Sequence, residues 1–100
     1  MVRTHETEAL VVGAGPTGLF TALALAEMGI KVQIIDQQWR TTVRSYACAL
    51  HPSSLRLLAR YGLAAEAVSR GRRVEKVAFY EGANRQGEVS LAELDAEYPF

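Results

Sequence analysis

Residues 9–36 read ALVVGAGPTGLFTALALAEMGIKVQIID, and this stretch decides how the chain folds. The short apolar run at residues 9–12 predicts a buried parallel strand, because a strand covered on both faces is apolar without alternation. A glycine-rich turn follows at once, and then an apolar helix over residues 17–28, which is typical of a helix buried between layers. Residues 31–35 predict a second strand that ends at Asp36. The pattern is that of a βαβ unit in an α/β protein.

The turn has the sequence Gly13-Ala14-Gly15-Pro16-Thr17-Gly18. Gly13 permits the tight turn out of the strand, Gly15 lets the backbone approach a pyrophosphate, and Gly18 lets the helix pack closely on the strand. The helix N-terminus then directs free N–H groups and its positive dipole end at the phosphates. Pro16 suits the first helical turn, where no N–H is needed. With a strand before it and a helix after it, this loop indicates dinucleotide binding rather than a plain glycine-rich turn.

Asp36 stands where an acidic side chain accepts hydrogen bonds from a ribose 2′-OH; the alternative is an exposed turn carboxylate. The loop that begins at Gln37 leaves the carboxyl end of a strand, so it is expected beside the nucleotide crevice. In this loop Arg44 is a candidate phosphate or ribose contact, and the alternative is a solvated arginine. The predicted cofactor-binding residues are Gly13, Ala14, Gly15, Pro16, Thr17, Gly18, Asp36, Gln37 and Arg44.

Composition argues against several other classes of protein. Lys and Arg total 11, as do Asp and Glu, so net charge does not favour nucleic acid or anionic lipid as a partner. Residues 9–26 carry no charge over nearly the length of a membrane span, but three glycines and Pro16 interrupt them. Glu6 and Glu8 precede this stretch, whereas the start of a signal peptide is basic. We therefore expect neither a membrane partner nor a targeting segment.

Cys48 is the only cysteine, so no internal disulfide forms and a reducing cytoplasm is the expected location. Cys48 and His51 have a spacing found in zinc sites, but His5 is the one other histidine, and too few nitrogen and sulfur ligands remain. No metal site is expected. A lone histidine at a helix start is more often structural, so His51 receives no catalytic role, and no catalytic residue is assigned in this chain.

The second half of the chain changes pattern. Pro52 opens a predicted helix that closes near Gly62, and residues 63–69 predict a second short helix. Residues 77–80 have the alternating pattern of a strand, and a second alternating run begins with Val89 and Leu91. Residues 82–87, between the two runs, have a composition typical of turns. Together these stretches predict a β-hairpin. An antiparallel pair after a βαβ unit indicates a second sheet that starts near residue 72. Two parallel strands do not complete a doubly wound sheet, so the βαβ unit is expected to be incomplete.

Together these stretches resemble the N-terminal part of the class A FAD-dependent aromatic monooxygenases, similar to p-hydroxybenzoate and phenol hydroxylases. The residues that carry the resemblance are Gly13–Gly18, Gly29, Ile35-Asp36, Ala47-Cys48-Ala49-Leu50-His51-Pro52-Ser53-Ser54-Leu55, Tyr61-Gly62-Leu63 and Tyr98-Pro99-Phe100.

The resemblance implies FAD along the glycine loop, with the adenosine ribose at Asp36. It further implies that NADPH or NADH reduces the flavin and that an aromatic, phenol-like substrate is hydroxylated with O2. Residues 1–71 then correspond to the N-terminal part of a Rossmann-like FAD-binding region, and residues 72–100 to the start of an antiparallel substrate-domain sheet. The expected partners are a small aromatic substrate and the remainder of the enzyme or a homo-oligomer partner.

Two positions depart from the family pattern. The family more often has Glu at the position of Asp36, and it usually has arginine at the position of Tyr46, two residues after Arg44. Two alternatives to the monooxygenase interpretation stay open. One is another FAD- or NAD(P)-dependent oxidoreductase with the same βαβ start, and the other is an inactive, truncated nucleotide-binding module. Under the monooxygenase interpretation, too, the 100 residues alone are not expected to be a competent enzyme.

Overall fold

The computed structural model describes residues 4–39 and 49–100 of the chain. It divides into two compact units, Met1–Arg44 and Ser45–Phe100. The domain boundary proposed from the sequence near residue 72 remains a prediction. Within the described residues, no helix is both long and apolar enough to cross a membrane.

The first unit is the βαβ element expected from the sequence. Strand β1 (Ala9–Val12) and strand β2 (Val32–Ile35) pair in parallel, with Ala9 beside Val32 and Val12 beside Ile35. Helix α1 (Pro16–Glu27) connects the two strands and contacts both of them. The parallel pairing confirms the Rossmann-like start of an α/β fold.

The sheet of the first unit is less covered than its apolar sequence predicts. Successive side chains of a strand point to opposite faces, and in both strands half-buried residues alternate with exposed ones. On the exposed face, Val12 is 77% exposed and Ile35 is 44% exposed. Even Leu19 of α1 is 49% exposed. One helix shields one side of a two-stranded sheet, so the burial predicted for both faces is not reached within the described residues.

The second unit contains two helices and the predicted antiparallel hairpin. Leu55, 3% exposed, and Ala64, 7% exposed, are buried apolar side chains, one from each helix. These form a small core where the helices contact each other. The elements are α2 (Pro52–Ala59), α3 (Ala64–Arg70), β3 (Lys76–Glu81) and β4 (Asn84–Ser90).

The hairpin turn is shorter than the sequence predicts. Only Gly82 and Ala83 lie between the strands, because Glu81 already pairs with Asn84. Gly82 has a φ of 60°, which suits the first central position of a two-residue turn that follows the twist of the strands. Residues 84–87, predicted as turn, belong to β4, and a β-bulge there accommodates one extra residue. The turn-like composition therefore predicted too long a loop, because a bulged strand also accepts Gly and polar residues.

The C-terminal segment, residues 91–100, is held to the rest of the second unit by Arg56 of α2. The Arg56 guanidinium forms an ion pair with the carboxylate of Asp95, and its Nε lies 3.4 Å from Oε2 of Glu97. The same guanidinium lies 5.8 Å from the centre of the Tyr98 ring. Main-chain bonds add to this at the end of the segment, where the N–H of Val74 donates to the carbonyl of Phe100 at 2.9 Å.

We expect Asp95 to titrate well below an ordinary aspartate. The N–H groups of Tyr98 and Glu97 and the Arg56 side chain all stabilise its charged form and lower its pKa to about 2. Its contribution to stability is therefore complete above an ordinary aspartate pKa of about 3.9 and is lost as pH falls through about 2. Carbon NMR of the Asp95 carboxyl measures the midpoint, and the Arg56→Met variant should raise it. A midpoint near 3.9 in the unaltered chain would contradict the contact.

Candidate cofactor-binding site

The candidate site lies where β1 and β2 end side by side. Because Val12 pairs with Ile35, the next residues of each strand, Gly13 and Asp36, are also neighbours. The N–H of Gly13 donates to the carbonyl of Ile35 at 2.7 Å, which extends the parallel pairing by one bond. Gly13 then turns the chain out of the sheet with a φ of 104°, a conformation that glycine adopts far more readily than other residues.

Asp36 binds the glycine loop directly through its side chain. Its Oδ2 accepts a hydrogen bond from the N–H of Ala14 at 2.7 Å, and its Oδ1 accepts one from the N–H of Gln38 at 2.6 Å. These two bonds, with that from Ala14 the larger effect, lower the pKa of Asp36 below its usual value. The side chain is therefore an exposed, ionised acceptor at neutral pH, as recognition of a ribose hydroxyl requires.

The remaining N–H groups of the loop have no acceptor in the part of the chain that the structure describes. Among the described residues, the N–H groups of Gly15, Thr17 and Gly18 donate to nothing, and Pro16 has no N–H. No described side chain caps this end of α1. Three free donors at the positive end of a 12-residue helix can bind an anion such as a pyrophosphate.

Gly18 and Gly15 differ in whether the folded protein itself requires a glycine at that position. A Cβ on Gly18 would lie 1.9 Å from the carbonyl oxygen of Gly13, so the helix approaches the turn too closely for any side chain. Gly15 has a φ of −74° and a ψ of 178°, which any residue adopts, and nothing lies within 4 Å of its Cβ position. Neither backbone conformation nor packing requires glycine there. The open space beside Gly15, which a Cβ would begin to fill, fits the predicted close approach of a pyrophosphate to the backbone.

The structure thus brings together Gly13–Gly18 and Asp36 at one end of the sheet. Gln37 follows directly and is exposed, while Arg44 lies outside the described residues, so their cofactor contacts stay predictions. His51 precedes α2 in the other unit, where its ring packs edge-on against Phe100 with 5.3 Å between centroids. That contact agrees with a structural role.

Sequence reasoning missed the contacts of Asp36 within the protein. An aspartate often accepts a hydrogen bond from the N–H two residues later, which could have predicted the bond from Gln38. The bond from Ala14 depends on the pairing of β1 and β2 and has no local signal. Among residues 4–39 and 49–100, no group of three His, Cys, Asp or Glu side chains is placed to hold a metal ion.

Comparison with known proteins points to one cofactor. Residues 6–99, which are nearly the whole chain, match the sequence profile of a protein family that is described as FAD binding domain.

The curated relatives carry monooxygenase names. The chain is 29% identical to pentachlorophenol 4-monooxygenase of Sphingobium chlorophenolicum over 98% of its own length and 18% of that protein. It is 32% identical to 6-methylpretetramide 4-monooxygenase of Streptomyces rimosus over 93% of its length and 17% of that protein. It is also 32% identical to para-nitrophenol 4-monooxygenase of a Pseudomonas species over 91% of its length and 23% of that protein. The chain therefore spans about a fifth of the length of these relatives.

Proposed function

Because the chain belongs to the FAD binding domain family, we propose that it holds the adenosine and pyrophosphate portion of FAD in a flavoprotein monooxygenase. The observation that carries this proposal is the set of free N–H groups on Gly15, Thr17 and Gly18 beside the ionised carboxylate of Asp36. Donors for a diphosphate and an acceptor for ribose hydroxyls lie at the same sheet end, where α/β proteins bind dinucleotides.

Each part of the site has a distinct task in this proposal. The free N–H groups of the loop bind the pyrophosphate oxygens with the support of the α1 dipole. Asp36 accepts hydrogen bonds from the ribose, and Gln37 and Arg44 extend the contact along the loop that follows. Bound FAD supplies the redox chemistry, and the residues of this chain bind and orient it.

The reaction we propose for the whole protein is hydroxylation of an aromatic, phenol-like substrate with O2 and NADPH or NADH. The names of the relatives support this, since two of them act by name on substituted phenols. A cytoplasmic location, where Cys48 would remain a thiol, belongs to the same proposal.

The test has two parts, binding and turnover. Titration of the chain with FAD should give a saturable change in flavin fluorescence, with NAD⁺ as the competing ligand that a dehydrogenase would prefer. The complete enzyme should couple NADPH or NADH oxidation to hydroxylated product with at least one member of a panel of phenols. A protein that binds NAD⁺ but no flavin would contradict the proposal.

Residues 1–100 alone are expected to form no product in that assay. Their described part offers one glycine loop and one ribose-binding carboxylate, so the reactive end of the flavin would remain open to water. NADPH consumption and product are measured together, with free FAD as the control for uncoupled oxidation. Product above that control from the 100 residues would contradict this expectation.

A further inference from the structure

The glycine loop is fixed to β2 by two hydrogen bonds of different kinds. One joins the N–H of Gly13 to the carbonyl of Ile35, and any sequence could make it because both partners belong to the main chain. The other joins the N–H of Ala14 to Oδ2 of Asp36, and it needs this side chain. Among the described residues, no other side chain forms a hydrogen bond with a main-chain N–H of residues 13–18.

The Asp36 carboxylate is itself held in place. Its second oxygen accepts the N–H of Gln38, so the group is fixed between the loop before α1 and the loop after β2. A carboxylate offers about four acceptor positions. Two of these are used within the protein and two remain, so the bond to Ala14 does not compete with bonds to ribose hydroxyls.

We infer that Asp36 is a positioning residue for the glycine loop as well as the ribose acceptor. By binding the N–H of Ala14, it holds the loop so that the N–H groups of Gly15, Thr17 and Gly18 remain free and aligned for the pyrophosphate. This inference rests on the proposed function. It differs from ribose recognition because it assigns Asp36 an effect on the diphosphate half of the ligand.

The side-chain chemistry sets what each substitution removes. Asp36→Ala removes both acceptors and leaves the Ala14 and Gln38 N–H groups without partners. Asp36→Asn keeps the size of the side chain but replaces one acceptor oxygen with an NH2 donor, so it can satisfy only one of the two N–H groups. Asp36→Ala should therefore release the loop, and Asp36→Asn should weaken its attachment, because the one remaining oxygen is uncharged and can serve only one of the two N–H groups. The side chain of Glu27 in α1 is exposed and has no hydrogen bond or ion pair with a described residue, so Glu27→Ala is a charge-matched control.

The experiment removes the ribose hydroxyls from the ligand. Wild type, Asp36→Ala, Asp36→Asn and Glu27→Ala, as full-chain apoproteins, are titrated calorimetrically with ADP and with 2′,3′-dideoxy-ADP. If Asp36 positions the loop, Asp36→Ala weakens binding of the dideoxy ligand by about tenfold or more, the effect of losing a hydrogen bond to a charged group. Glu27→Ala should bind both ligands as wild type does. Equal affinity of wild type and Asp36→Ala for the dideoxy ligand would overturn the inference and leave Asp36 a ribose contact alone.

A second measurement needs no ligand. Hydrogen exchange at the Ala14 amide should be slow in wild type and Glu27→Ala, and faster in Asp36→Ala and Asp36→Asn, while the Gly13 amide changes less. Unchanged exchange at Ala14 would also overturn the inference. If exchange responds as expected but wild type binds neither ADP nor FAD, the proposed function fails and the pyrophosphate role fails with it.

Discussion

Gly15→Val is expected to abolish FAD retention while leaving the fold intact. The backbone at Gly15 is extended, a conformation that β-branched valine favours, and no atom lies within 4 Å of its Cβ position. The protein can therefore accept the side chain. In the proposed function the ligand no longer fits, because the added carbons would occupy the open side of the loop, where the pyrophosphate would approach the backbone. Losing two charge-assisted hydrogen bonds would weaken binding by roughly 100-fold or more.

Flavin absorbance after gel filtration measures whether FAD is retained, and the circular dichroism melting curve measures whether the fold is intact. Gly87→Val is the matched control, since Gly87 also has open space around its Cβ position but lies in β4 of the other unit. It should retain flavin as wild type does. Recovery of Gly15→Val with one flavin per chain would show that the loop does not bind the pyrophosphate.

Gly18→Ala is expected to damage the fold itself. The new Cβ would lie 1.9 Å from the carbonyl oxygen and 3.0 Å from the carbonyl carbon of Gly13, and these are backbone atoms that cannot rotate away. Overpacking of this kind costs about 1–3 kcal/mol and sometimes more, against a gain of about 1 kcal/mol from the higher helix propensity of alanine. A distance of 1.9 Å to a backbone atom is far shorter than a van der Waals contact, so the cost lies at or above the upper end of that range, and we expect a net loss of about 2 kcal/mol or more in the free energy of unfolding.

Thermal denaturation measures this loss, since about 2 kcal/mol corresponds to a fall in Tm of roughly 8–16 °C for a domain of this size. Gly15→Ala makes the same chemical change three positions earlier, in open space, and should leave the Tm nearly unchanged. Matching melting temperatures for Gly18→Ala and Gly15→Ala would mean that α1 does not approach the turn as closely as the structure indicates.

The βαβ unit could be predicted from sequence because its signals are local. An apolar run, a glycine-rich turn and an acidic residue after the second run occur in an order that few other folds use. The hairpin was also predictable, from two alternating runs around Gly82. Its two-residue turn was not, because residues 84–87 have a composition that suits both a loop and a bulged strand.

Other features of the site depend on contacts that a sequence does not display. The Ala14–Asp36 bond requires the observed pairing of Val12 with Ile35, which brings the ends of two separate strands together. The exposure of Val12 depends on which elements cover the sheet, whereas apolar composition reports only that burial is favourable. Composition therefore predicts the type of strand, and the extent of its burial follows from what packs on it.

The ion pair between Arg56 and Asp95 also bears on the order of folding. It joins residues that are 39 positions apart in the sequence, whereas the hairpin closes through a turn of two residues. The chain entropy lost on closing a loop grows with the logarithm of its length, so the hairpin can form before residues 91–100 dock on α2. Contacts that form late can also open first, without loss of the elements beneath them. The last ten residues are therefore expected to exchange between docked and released states while the hairpin stays folded.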